Sequence, residues 1–218
     1  MNNEPSTINY RISLQNIGRR FNRDWIFRGI NYDFISGKSY AVLGPNGSGK
    51  STLFQVVNGS LSQSAGKISY FYEDKPIEID AVFKHISIAA PYLELIEEFS
   101  LNEMIEFHFK FKSYKTGIDK SEIINLLAMP GNKNKLIKYF SSGMKQRLKL
   151  ALAFCSDTSI LMVDEPTSNL DTQGIDWYLK MVQNFASNRL TIICSNQAHE
   201  YSFCDEQLNI LDFKKNVT

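Results

Sequence analysis

The stretch Ala41-Val-Leu-Gly44-Pro-Asn-Gly47-Ser-Gly49-Lys50-Ser51-Thr52 constrains this chain more than any other. An apolar run enters a glycine loop, and the loop passes through Lys-Ser into an amphipathic run that ends near Asn58. The spacing is G-x-x-x-x-G-K-S in the order strand, loop, helix. Glycines let consecutive backbone N–H groups turn inward on an anion, where a Cβ would obstruct. A helix starting near Lys50 presents the positive end of its dipole to the same place. Lys50 can then reach the β- and γ-phosphates of a nucleotide, and the Ser51 hydroxyl can take a place on Mg²⁺.

With 218 residues the chain can bury a sizeable core in one large or two small domains. Its net charge is +1, from 24 basic and 23 acidic side chains, so no global field selects nucleic acid or anionic lipid. Lys133, Lys135 and Lys138, with Lys145, Arg147 and Lys149 beyond, form the one dense basic cluster, which reads as a solvated face. Cys155, Cys194 and Cys204 are odd in number and have no C-x-x-C spacing, which points to a reducing, cytosolic setting. Met1 to Thr7 is polar and carries no apolar run of the secretory kind. No stretch approaches the ~18 apolar residues that span a bilayer, so any membrane function requires a spanning partner chain.

Ile8, Tyr10, Ile12 and Leu14 alternate with polar residues, as do Ile30, Tyr32 and Phe34, and both runs read as half-buried strands. Arg20 to Trp25 is a polar connection between them, with the aromatics Phe21 and Trp25. Gly66–Tyr72 and Lys75–Ile79 read as short antiparallel strands, and His85–Ala90 as a strand stopped by Pro91. Ser100 and Glu103 form a capping box ahead of Leu101, Met104, Ile105, His108 and Phe109 at helical spacing. Further helices fit Lys120–Ala128 and the run from Met144 to Cys155. Ile160–Val163 reads as a buried strand, followed by a helix from Gln173 to Ala186 and a strand over Leu190–Ser195. A short helix over His199–Phe203 and a strand over Leu208–Leu211 complete the chain. The expected fold is α/β: a parallel sheet with crossover helices, residues 1–90 and 156–218 forming the core and 91–155 a mostly helical insert.

Asp164 stands at the carboxyl end of a buried strand, where open α/β sheets bind ligands. A carboxylate there suits Mg²⁺ opposite Ser51, and the adjacent Glu165 can polarise a water for attack on a γ-phosphate.

The glycine loop, Ser141-Ser142-Gly143-Met-Lys-Gln-Arg147, Asp164-Glu165-Pro-Thr and Ser168-Asn-Leu-Asp171 together resemble the ATP-binding-cassette (ABC) ATPases, over about Ile12 to Leu211. The run Phe140–Leu148 with Leu-Ala-Leu-Ala after it is similar to ATP-binding subunits of the cytochrome c maturation, or haem exporter, type. The resemblance implies a P-loop NTPase: a RecA-like parallel core, an antiparallel β-subdomain and an inserted helical subdomain. It implies that Gly44, Pro45, Asn46, Gly47, Ser48, Gly49, Lys50, Ser51 and Thr52 hold ATP, with Phe21, or else Trp25, stacked on adenine. Mg²⁺ would lie on Ser51 and Asp164, with Glu165 and Lys50 catalytic. Ser141, Ser142 and Gly143 would meet the γ-phosphate of ATP held by a second copy or a paralogous ATPase subunit, and Asp171 would couple the two sites. A separate integral-membrane permease would hold the pair at the inner face of the cell membrane, and no nucleic acid is implied.

Two positions depart from that pattern. The family's glutamine after the strand ending at Ala90 has no counterpart, since Pro91-Tyr92 follows and no Gln lies between Gln63 and Gln146. The family's switch histidine is replaced by Asn196, which can donate a hydrogen bond to a γ-phosphate but carries no charge, and His199 is three residues too far on. Two readings follow. One is an ATPase that drives a permease; the other is an ATP-gated dimerising module that hydrolyses little.

Overall fold

The computed structural model describes residues 9–214. Ile8, expected in the first strand, and the rest of 1–8 and 215–218 lie outside the described residues.

Strand β1 (Tyr10–Phe21) turns through Asn22-Arg23 into β2 (Asp24–Ile35), with Phe21 opposite Asp24. Asn22 accepts the left-handed backbone of the tight turn at φ 54°. The polar connection expected at Arg20–Trp25 is therefore mostly strand. β1 also runs past Leu14, because a bulge at Asn16 (φ 52°) shifts its register and returns Ile17 to the core. With β4 (Ala65–Tyr72) and β5 (Lys75–Ile77) the pair forms an antiparallel sheet in the order β2-β1-β4-β5.

The second sheet is parallel, in the order β6-β7-β8-β3-β9, built from Ile86–Ala89, Ile160–Asp164, Leu190–Ser195, Ser39–Leu43 and Glu206–Asn209. The last strand sits two residues ahead of its expected place, and Ile210–Phe213 is a 3-10 turn. Pairing with β3 sets that strand, and its burial pattern has one buried residue, Leu208. Helix α1 (Lys50–Val57) leads from β3 to the antiparallel strand β4, while α5 (Thr172–Phe185) and α6 (Ala198–Tyr201) join β7 to β8 and β8 to β9.

Alternate residues of β7 serve two cores. Ile160 and Met162 pack with Ile12, Phe27, Phe34 and Phe54 of the antiparallel layer and α1. Leu161 and Val163 pack with Leu101, Ile105, Leu148 and Phe154. The latter come from α2 (Leu101–His108) and α4 (Ser142–Cys155), with α3 (Lys120–Leu126) between them in the chain. Each such side chain stabilises the fold by roughly 1.5–3 kcal/mol through lost apolar hydration.

The capping box is present: Ser100 Oγ accepts from Glu103 N at 3.3 Å and Glu103 Oε2 accepts from Ser100 N at 2.7 Å. α3 stops at Leu126, short of expectation, because Ala128 turns left-handed (φ 54°) ahead of Pro130. No helix among the described residues is long and apolar enough to cross a membrane.

Candidate active site

The glycine loop joins the end of β3 to the start of α1, as its sequence requires. A Cβ on Gly44 (φ 151°) would lie 2.6 Å from both Ile210 Cγ2 and Ser48 Oγ, and one on Gly49 (φ 105°) 2.5 Å from Ile26 Cγ2. Both glycines are thus fixed by backbone and by space. Gly49 caps α1 without any side-chain acceptor, so its first-turn amides remain available to an external anion. Lys50 is buried and its Nζ donates to Gly44 O at 2.8 Å and Pro45 O at 3.3 Å, which holds the ammonium over the loop. Pro45, Asn46 and Gly47 are exposed, while Ser51 and Thr52 are half-buried on the first turn.

β7 delivers Asp164 to the same place at 1% exposure. Burial, and less so the neighbouring Glu165 and Glu200, raise its carboxyl to about 6, against the pull of the Ser51 hydroxyl and Lys50. Its Oδ1 is buried with no hydrogen-bond partner. An unpaired carboxylate oxygen beside a serine hydroxyl is the donor set a hard divalent cation takes. Glu165 has φ 44°, a strained conformation for a non-glycine residue, and its N–H donates to Cys194 O at 2.9 Å.

Asn196 follows β8 and its Nδ2 donates to Asn46 Oδ1 at 3.0 Å, so the amide in the switch position touches the loop. His199 does not. It pairs with Thr167 Oγ1 at 3.0 Å. Beside it the fully buried Glu200 accepts from Thr167 N at 2.8 Å and from the hydroxyls of Thr167 and Ser195, clamping the segment after Glu165 to the end of β8.

Ser141 caps α4, its Oγ accepting from Met144 N at 3.2 Å. Gly143 lies under the next loop, where a Cβ would stand 2.9 Å from Asn169 O. Ser141, Ser142, Gly143, Asn169 and Asp171 line a surface groove of about 310 Å³ whose walls include none of Gly44–Thr52. Asp171 caps α5 through Gly174 N at 2.8 Å and stands 3.6 Å from Arg147. Phe21 is 46% exposed at the tip of the β1–β2 hairpin, with the Arg19 guanidinium 4.5 Å over its ring, whereas Trp25 lies between Arg20 and Arg28.

Two residues join this region in roles that the sequence does not indicate. Gln146 is buried and donates to Pro166 O at 2.9 Å, fastening α4 to the turn after Glu165. Lys149 donates to Pro91 O at 3.0 Å and Ala90 O at 3.4 Å. Lys133, Lys135 and Lys138 are exposed, in keeping with a solvated face, while Lys145 and Arg147 are half-buried and pair with the exposed Glu97 and Asp171.

Residues 27–168, well over half the chain, match the sequence family described as "ABC transporter". A lantibiotic transport ATP-binding protein, SrtF of Streptococcus pyogenes, is 32% identical over 190 residues, covering 85% of this chain and 79% of the relative. The linearmycin resistance ATP-binding protein LnrL of Bacillus subtilis is 26% identical over 205 residues, 92% of this chain and 66% of LnrL. The fold is similar to that of a solved bacterial ABC transporter cassette, MJ0796, with a TM-score of 0.74 at 18% identity over 91% of this chain and 94% of that one. The chain therefore belongs to the ABC transporter family, as an ATP-binding subunit of the class that hydrolyses ATP to power transport.

Proposed function

We propose that this chain closes head-to-tail with a second copy, or with a paralogous ATPase subunit, around two ATP molecules and drives a separate permease. The observation that carries this reading is the position of the Ser141–Gly143 groove. Its serine hydroxyls and helix N-terminus suit a γ-phosphate, yet its walls include no part of the loop Gly44–Thr52 of the same chain. Each surface is half of a site, and a head-to-tail pair completes both. Residues 91–155 then act as the helical subdomain that presents the groove, and 1–90 with 156–218 as the core that holds nucleotide.

Within one half, Gly44–Thr52 and Lys50 hold the triphosphate and Phe21 stacks on adenine through the ring face opposite the Arg19 guanidinium. The orphaned Asp164 Oδ1 and the Ser51 hydroxyl fit Mg²⁺, which when bound supplies charge to the β- and γ-phosphates. Glu165 polarises the attacking water, Asn196 donates to the γ-phosphate, and Asp171 couples the two sites.

Exposed Ile79 and Phe83 flank a groove of about 560 Å³ that also takes in Leu93, Met104 and Lys112, a surface suited to an apolar permease segment. The spanning part would come from that chain, placing this one at the inner face of the membrane. The likeness of Phe140–Leu148 to haem exporter subunits rests on that block alone. The named relatives serve lantibiotic transport and linearmycin resistance, which supports an exporter whose permease selects the cargo.

ATP turnover of the purified protein and of Glu165→Gln tests the assignment. Turnover in the first and its loss in the second are expected, and equal rates would overturn the role of Glu165. Asn196 in the switch position favours the second reading, an ATP-gated module. It would show an ATP-dependent dimer in light scattering with turnover at background.

A further inference from the structure

Glu200, on the short helix α6, is fully buried and bridges two edges of the site. Its Oε1 accepts from Thr167 N at 2.8 Å and from the Thr167 hydroxyl, and its Oε2 accepts from the Ser195 hydroxyl. Thr167 is two residues after Glu165, and Ser195 is the residue before Asn196. Each anchor has a further partner: Thr167 Oγ1 pairs with His199 Nε2 at 3.0 Å, and Ser195 Oγ accepts from Gln197 N at 2.8 Å. The backbone of Glu200 is fixed in turn by α5, whose buried Tyr178 hydroxyl donates to Glu200 O at 2.9 Å. A carboxylate accepts on both oxygens at once, so one side chain takes an N–H and two hydroxyls together.

These bonds bear on Glu165. Its φ of 44° is a conformation that a non-glycine residue keeps only where its surroundings over-determine it. Glu165 N donates to Cys194 O at 2.9 Å, and Ser168 N donates to Glu165 O at 3.1 Å, which closes the turn. Gln146 of α4 holds Pro166 O at 2.9 Å, and Glu200 holds Thr167 by both its N–H and its hydroxyl. Each residue from Glu165 to Thr167 is therefore tied to another element: β8, α4 and α6 in order. Glu200 also grips the end of β8 through Ser195, so a single side chain sets the placement of Glu165 relative to Asn196.

We propose that Glu200 is a positioning residue for ATP hydrolysis: through Thr167 and Ser195 it holds the water-polarising Glu165 and the γ-phosphate donor Asn196 in register, without touching nucleotide itself. The proposal rests on the reading of Glu165 as the base. Glu200 neither gives nor takes a proton in the reaction; it keeps a strained turn at the angle from which Glu165 meets the water.

The test is steady-state ATP turnover and binding of a fluorescent ATP analogue by the full chain. The natural sequence is compared with Glu200→Ala, Glu200→Gln, Thr167→Val and Glu165→Gln. Glu200→Ala removes all three bonds, and kcat should fall about ten- to a hundredfold, as an ångström of misplacement at reacting groups can cost about a hundredfold. Analogue binding and the KM for ATP should hold at natural values, since the bonds of Glu200 go to Thr167, Ser195 and Tyr178 and not to Gly44–Thr52. Glu200→Gln can keep Oε1 on Thr167 and turn its amide toward Ser195, whose hydroxyl then donates to Gln197 O, 3.3 Å away. It should retain most of the natural kcat. Thr167→Val deletes one bond at nearly constant volume and should give a smaller fall in kcat, again at constant KM.

A natural kcat in folded Glu200→Ala would overturn the proposal, as would a natural kcat in Thr167→Val if Glu200→Ala does not fold. So would kcat and analogue binding falling together, or equal rates in Glu200→Gln and Glu200→Ala. In each of these cases a dead Glu165→Gln leaves the base reading standing. If Glu165→Gln turns over at the natural rate, or the natural sequence not at all, the base reading fails and Glu200 falls with it.

Discussion

Replacing Asp164 with Asn should stabilise the protein when neither nucleotide nor metal is present. Asp164 is 1% exposed, and its carboxyl lies at about 6 against an ordinary 3.8. At 1.36 kcal/mol per unit, holding it ionised at pH 8 costs about 3 kcal/mol of folding stability. Asn removes the charge but brings two N–H donors, and the Ser51 hydroxyl can accept one of them. An unsatisfied donor returns about 1–2 kcal/mol of that gain, leaving a net of about 1–2. For a chain of this length that is an increase of several degrees in Tm, at about 2–4 °C per kcal/mol.

The sign with pH follows from the raised folded value. The folded state holds the proton where the unfolded chain has already lost it, so the penalty is complete above about pH 6 and gone below 3.8. Melting curves in EDTA at pH 8 and at pH 5 should show a wide gap between Asp164→Asn and the natural protein that narrows on acidification. With saturating Mg²⁺ and ATP the order should invert, since ligand at a hundred times Kd adds about 2.7 kcal/mol to a protein that can bind it. If Asp164→Asn melts below the natural protein at pH 8 in EDTA, the carboxylate stabilises the empty fold and the desolvation argument is wrong.

Gly143→Ala would place a methyl 2.9 Å from the backbone oxygen of Asn169, which cannot rotate away. With strain of about 1–3 kcal/mol in that groove, the ATP-dependent dimer of a Glu165→Gln background should be lost in light scattering while monomeric ATP binding persists. Phe21→Ala should raise the KM for ATP about fivefold, roughly 1 kcal/mol of stacking, with kcat unchanged. A fall in kcat at constant KM would remove Phe21 from the adenine site.

The parts of the site that are contiguous in the chain could be read from it. The glycine loop, Asp164-Glu165 at the end of an apolar strand, and the Ser100–Glu103 box each encode their geometry within a few residues. What escaped reading depends on distant partners. Glu200 looks like one polar residue of a short helix, and only the fold brings Thr167 and Ser195 onto its oxygens. Gln146 lies off the apolar stripe of α4, yet it is buried because the turn at Pro166 covers it. Lys149 reads as a surface cation until the carbonyls of Ala90 and Pro91 are set beside it. β1 was read too short because the bulge at Asn16 breaks the alternation on which a period-two argument relies.

α4 has a mechanical consequence. Its first turn carries Ser141 and Gly143 at the surface, while Gln146 and Lys149 are fastened to the turn after Glu165 and to the turn after β6. The nine residues from Ser141 to Lys149 span about 12 Å of rigid helix, so a tilt of about 5° about the Lys149 end moves the Ser141 end by about 1 Å. Such a tilt moves Gln146, about 4.5 Å from the pivot, by about 0.4 Å, which bears on its 2.9 Å hydrogen bond to Pro166 O while the 3.0 Å bond of Lys149 holds the pivot. The helix behaves as a short lever: in the proposed head-to-tail pair, load on its free end would reach the turn after Glu165 through Gln146, with the turn after β6 as the fulcrum.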